Sequence, residues 1–223
     1  MRIPFKFLFR ISLISIIVIG LTAYTPNGEI GQFWFFTAQT NLFLLFLELT
    51  LVITNIFELF NVIVTFKYAK WFTFIRLLVT YCISITGLVY CFILAPVAFV
   101  TKSELIQNFG YRDILLHIFS PLMAFIDYII FGTKHHVPVK MGILFLIYPI
   151  IYFVSINLRV WLGGSEFGIG SLYPYFFIDP TFLEQGWGMV AFYAAIFFVF
   201  FYLLASLFLY INDKLSENQQ INL

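Results

Sequence analysis

Thr37 and His117 are the residues of this 223-residue chain best suited to act together as a nucleophile and its base. A hydroxyl attacks poorly until a neighbour takes its proton, and a neutral imidazole can do so near neutral pH. Thr37 belongs to the polar run Phe36-Thr37-Ala38-Gln39-Thr40-Asn41-Leu42. That run opens a segment, Phe33 to Phe60, otherwise apolar enough to cross a bilayer. Lipid gives a buried Gln, Asn or Thr no partner, so the run must meet polar groups inside protein. Gln39, Thr40 and Asn41 are candidates to bind or orient a substrate, or to donate hydrogen bonds to a developing oxyanion. Residue types alone leave a second reading open, in which threonine and histidine only bond each other or a carbonyl as helix glue.

Helical phase extends these positions into stripes. At ~100° per residue, Thr37, Asn41, Glu48 and Asn55 fall within about 40° of one another. Asp113, His117, Ser120 and Asp127 occupy a sector of roughly 80° on a later helix. Pro121 follows His117 by four residues and cannot donate to its carbonyl, so a kinked or loosened turn is expected there. Arg76, about one turn into its helix, comes level with Asp127 and with Glu48. An unpaired charge at such depth costs about 2.5 to 3.5 kcal/mol, so pairing is expected. Glu48, Arg76 and Asp127 then form either an ion pair that fixes the bundle or a proton or ion path.

The elements that must position these groups are membrane helices. Only 10% of residues are charged and 62% are hydrophobic, against about 25% charged in soluble domains. A net charge of +1, with basic residues confined to short turns, argues against a nucleic-acid partner. Six runs can span the hydrocarbon core: Phe7–Tyr24, Phe33–Phe60, Trp71–Phe99, Tyr111–Phe131, Val139–Leu158 and Gly188–Ile211. The expectation is an all-α, polytopic bundle of six helices forming a single domain over residues 1–223.

Arg2, Lys6 and Arg10, Lys67 and Lys70, Lys134 and Lys140, and Lys214 fall on one side of such a bundle. The positive-inside rule makes that side, and both termini, cytoplasmic in a cell membrane. No small-x-small cleavage site follows the first run, so it is expected to remain as a helix. Glu29, then Lys102 with Glu104, then the connection of about 159–187 face outward. This last connection carries Tyr173-Pro174-Tyr175-Phe176-Phe177-Ile178-Asp179-Pro180 and reads either as a cap on the bundle or as an interfacial anchor.

Cys82 and Cys91 are nine apart on one helix and face opposite sides, so they cannot pair with each other. His135 and His136 diverge in a basic turn. The chain shows no Cys/His metal spacing, no phosphate-binding glycine loop and no nucleophile elbow, so neither a metal nor a cofactor is expected.

The run from Phe36 to Leu42, the run Leu116-His117-Ile118-Phe119-Ser120-Pro121 followed by Asp127, and the run from Tyr173 to Pro180 together resemble a bacterial family of six-helix integral membrane proteins. The resemblance covers nearly the whole chain. More distantly, the layout is similar to the eukaryotic androgen-induced and androgen-dependent TFPI-regulating membrane proteins. Those are six-helix enzymes that hydrolyse fatty-acid esters of hydroxy fatty acids with an intramembrane threonine and histidine. By position this resemblance implies Thr37 and His117, with Thr40 a rival for the threonine. The eukaryotic motif has no Gln-Thr-Asn after its threonine, and the aromatic fifth connection looks particular to the bacterial group. A lipid-ester hydrolase is the leading expectation, with membrane lipid as surroundings and substrate. Its rivals are a small proton-responsive transporter or sensor built on Glu48, Arg76 and Asp127, and a structural subunit of a membrane complex.

Overall fold

The computed structural model describes residues 3–24, 33–62, 64–65, 69–101, 110–167 and 170–221. Arg2, Glu29, Lys67, Lys102 and Glu104, on which the expected orientation partly rests, lie outside the described residues. The protein is all-α, and among the described residues six helices are long and apolar enough to cross a membrane. It is a multi-pass membrane protein on helix length and hydropathy. The spans are Pro4–Thr22, Phe36–Leu59, Lys70–Val100, Tyr111–Phe131, Val139–Trp161 and Trp187–Glu217, within a few residues of the expected runs.

The helices are α1 (Ile3–Tyr24), α2 (Phe36–Leu59), α3, α4, α5 and α6 (Trp187–Ile221). α3 begins as Lys70–Val89, passes through a π-helical turn at Tyr90–Leu94 and continues as Ala95–Thr101. α4 has the same construction: Tyr111–Ile114, a π-helical turn at Leu115–Phe119, then Ser120–Phe131. α5 comprises Gly142–Phe145 and Ile147–Trp161 after a 3-10 turn at Val139–Met141. The chain groups into two compact units, one of Met1–His136 with Leu215–Leu223, the other of Val137–Lys214.

In the first unit α1 to α4 pack on one another. Leu13, Ile17 and Leu21 of α1 recur every four residues and are buried, which puts one apolar face inward. Leu44, Leu47 and Leu51 of α2, Ile83 of α3, and Leu116 and Ala124 of α4 complete that core. The opposite face of α2 is apolar too, with Phe46 60% and Ile53 52% exposed. Such a face suits lipid, because hydrocarbon rather than water is its solvent. Gly20 lets α1 come close to α4, since a Cβ there would stand 2.5 Å from the Leu116 side chain. Cys82 is buried and Cys91 exposed, as their phase requires.

The second unit holds α5, α6 and the connection between them. Ala205 and Leu209 of α6 are fully buried and face Gly142 of α5 at ordinary contact distance. The connection is held by its own polar groups. Asp179 accepts from Ser171 Oγ (2.6 Å) and from the Thr181 amide (2.8 Å). Arg159 donates to the Leu172 carbonyl (3.1 Å), its guanidinium 4.4 Å from the Phe167 ring centre. Tyr175 lies against Tyr152 of α5 and Phe177 against Phe197 of α6, so the aromatic run docks on its own unit.

Candidate functional site

The first unit carries two buried polar clusters on the same helix faces. One surrounds Thr37 and His117; the other surrounds Asp127. On α2 they are divided by Leu44, between Asn41 and Glu48, and on α4 by Ala124, between Ser120 and Asp127. Leu44 and Ala124 are buried in the apolar core with Leu13, Ile17 and Ile83, which fill the bundle at that level.

In the first cluster Thr37 Oγ1 stands 3.0 Å from His117 Nε2, and both residues are buried. His117 Nδ1 lies 3.0 Å from the Asp113 carbonyl. A carbonyl only accepts, so Nδ1 must be the nitrogen that carries hydrogen. Nε2 of the neutral ring is then a lone-pair acceptor aimed at the Thr37 hydroxyl. This is the tautomer a general base needs. The Asp113 carboxylate is also near, with Oδ1 3.9 Å from Nδ1, while Oδ2 accepts the Gly110 amide that opens α4 (3.1 Å).

The π turn explains how this part of α4 is free to make such bonds. In it the Ser120 amide donates to Leu115 rather than to Leu116. The released Leu116 carbonyl accepts from Asn41 Nδ2 (3.2 Å), and Ser120 Oγ lies 3.0 Å from it as an alternative donor. Asn41 Nδ2 also donates to the Thr37 carbonyl (2.9 Å), and its Oδ1 accepts from Ser120 Oγ (2.6 Å). Asn41 thus ties the Thr37 turn to the His117 turn, with both its amide groups in use. Thr40 points to another helix, its hydroxyl 2.8 Å from that of Thr86. Gln39 lies toward the rim and donates from Nε2 to the Phe33 carbonyl (2.9 Å).

A proline stands second after each π turn, Pro96 in α3 and Pro121 in α4. Widening the turn relieves the clash between a proline ring and the preceding turn. The loosened turn expected beside His117 is therefore present, and α3 repeats it. The first residue of the α3 turn, Tyr90, stacks on the His117 ring at 4.0 Å and 18°. Gly87, three residues earlier, admits α3 to the same place. A Cβ on it would stand 3.0 Å from the His117 carbonyl and 3.1 Å from Pro121 Cβ. Gly87→Ala should therefore push α3 away and cost about 1–3 kcal/mol. A lower thermal midpoint in detergent would register it, and an unchanged midpoint would contradict it.

In the second cluster Asp127 binds two guanidiniums. Arg10 Nε donates to Oδ1 (2.8 Å) and Nη2 to Oδ2 (3.3 Å), while Arg76 Nη2 donates to Oδ2 and to the Asp127 carbonyl (3.1 Å). Arg10 Nη1 reaches Asn55 Oδ1 (3.3 Å), and Glu48 Oε2 stands 3.7 Å from Arg10 Nε. All five residues are buried. Of the two partners foreseen for Arg76, Asp127 is the one it binds. Lys134 closes this end, donating to the carbonyls of Tyr128 and Gly132 and standing 4.3 Å from the Tyr128 ring centre.

Arg10 was missed as a member of this cluster because a basic residue before an apolar run reads as a topology signal. The available clue was spacing: Lys6 and Arg10 share a helix face, and Lys6 pairs with Glu58 of α2 (3.2 Å). Nothing in the sequence marked Tyr90 as a partner of His117.

No protein-family model, curated protein or solved structure matches this chain.

Proposed function

We propose that Thr37 and His117 form the catalytic centre of an intramembrane lipid-ester hydrolase. The supporting observation is the relay from Thr37 Oγ1 to His117 Nε2 (3.0 Å), with Nδ1 held on the Asp113 carbonyl (3.0 Å). In this scheme Thr37 Oγ1 attacks the ester carbonyl carbon as its proton passes to Nε2. The tetrahedral intermediate then expels the alcohol, which takes the proton back from Nε2. Water, deprotonated by His117, attacks the acyl-threonine, releases the fatty acid and restores the Thr37 hydroxyl.

The remaining neighbours take roles that fit their bonds. Asn41 orients, because its hydrogen bonds hold the two reacting turns together. Thr40 positions α2 against α3, and Gln39 stands nearest the rim, where a substrate would arrive. Thr37 lies in the first turn of α2, and the Phe35 before it supplies no side-chain cap. The positive end of the helix dipole therefore favours charge developing at the Thr37 oxygen and at the attacked carbonyl. Tyr90 shields the outer face of the imidazole. The motif resemblance points to the same two residues. On this reading both termini lie in the cytoplasm of a bacterial inner membrane, the orientation the positive-inside rule favours, and Thr37 stands toward the outer leaflet, level with lipid ester groups.

Peptide mapping after treatment with an alkyl fluorophosphonate tests the reading directly. The expected adduct is on Thr37. An adduct on Thr40 or Ser120 alone, or none on the folded protein, would reject it.

A further inference from the structure

The proposed chemistry leaves the Asp127 cluster unused, and one of its acids has no bonding role there. Glu48 Oε2 has no hydrogen-bond partner, although Glu48 is 1% exposed. Its nearest cationic atom is Arg10 Nε at 3.7 Å, whose single hydrogen already points to Asp127 Oδ1 at 2.8 Å. Asn55 shows the matching defect, with Oδ1 bound to Arg10 while Nδ2 has no acceptor. We infer that Glu48 is a proton-binding site, holding a neutral carboxyl group inside the bundle and sharing Arg10 with Asp127 when the proton leaves.

Hydrogen bonds decide which carboxyl carries the charge. A buried ion pair repays desolvation only where hydrogen bonds satisfy the charged oxygens. Asp127 meets that condition at both oxygens, from two arginines. Glu48 gains proximity to Arg10 but no bond, and it also faces the Asp127 charge. A buried acid in that position neutralises itself by keeping its proton.

The charged groups that act on it are Arg10 from α1, Arg76 from α3 and Asp127 from α4; Asn55 of α2 binds the same Arg10, and Tyr128 and Lys134 adjoin Arg76. With Glu48 neutral, two arginines share one carboxylate, so one positive charge is in excess. That excess lies beside the exit turn, where Arg76 approaches Gly132 and Lys134. Burial, with the Arg76 guanidinium beside it, pulls the Lys134 ammonium down to about 7. Loss of the Glu48 proton would set a second carboxylate against Arg10 Nε and loosen the grip of α1 on Asp127.

Infrared spectra of the purified protein in an ester-free detergent at neutral pH test this. The expected result is a carboxylic-acid carbonyl band that shifts when glutamate is carbon-13 labelled and disappears in Glu48→Gln. Glutamine copies the shape and neutrality of the protonated acid, so this variant should keep the wild-type thermal midpoint. A spectrum with no labelled acid band, or a band that survives Glu48→Gln, overturns the proposal. A Glu48→Gln protein that fails to fold also overturns it, since that result would require an ionised Glu48.

Discussion

Asp127→Ala is expected to cost about 3–5 kcal/mol, because it leaves two buried guanidiniums without a counter-charge. Arg10 would keep only Asn55 and a distant Glu48, and Arg76 would keep a backbone carbonyl. Thermal unfolding in detergent should show a far lower midpoint, or no cooperative transition. Arg10→Met should cost less, because Asp127 then still has Arg76. The triple change Arg10→Met, Arg76→Met, Asp127→Leu separates two explanations of the loss. If the penalty comes from stranded charge rather than from a stabilising bond, the triple variant recovers most of it. A triple variant as unstable as Asp127→Ala would show instead that the pairs themselves hold the bundle.

The two clusters divide the work of the four-helix unit. Asp127 draws α1, α3 and α4 together through bonds from Arg10 and Arg76 to both its oxygens. At the other end α2 and α4 are joined by the Thr37–His117 contact and by Asn41, which binds Ser120 and the Leu116 carbonyl. Among the described residues, Leu13, Ile17, Leu44, Ile83 and Ala124 fill the level between them.

Much of this was legible in the sequence because membrane helices obey two simple rules. Span length follows from bilayer thickness, so all six helices appear within a few residues of their runs. Helical phase then places Thr37 and Asn41 on one stripe and His117 and Ser120 on another, and the structure joins those stripes by direct hydrogen bonds. Phase does not reveal what a backbone carbonyl will do. The roles of the Asp113 and Leu116 carbonyls depend on the π turn, which Pro121 signals only as a disturbance. Tyr90 is invisible for a related reason, because an aromatic residue within a membrane helix has many equivalent uses in a chain with 31 Phe and 13 Tyr. Arg10 was concealed by position, since the same residue serves as a topology signal in one frame and as a buried ion in another.

The sharpest expected effect on chemistry is loss of fluorophosphonate labelling in Thr37→Val. Valine keeps the branched shape and removes only the oxygen that stands 3.0 Å from His117 Nε2. Its structural penalty is that of leaving the buried His117 Nε2 without a partner, about 1–3 kcal/mol, so a folded fraction should remain available for the assay. Thr37→Ser restores a hydroxyl at the same place and should label. His117→Gln removes the base and should slow labelling by about 10²–10⁴-fold. Asp113→Asn should do much less, because the backbone carbonyl of residue 113, which the substitution leaves in place, holds the Nδ1 hydrogen. That order separates a catalytic relay from a structural hydrogen bond. A bond that only fixed two helices would lower the thermal midpoint in Thr37→Val and His117→Gln while leaving the labelling rate of the folded fraction unchanged. Equal rates in wild type and Thr37→Val would thus exclude Thr37 as the nucleophile, whatever the variant's stability.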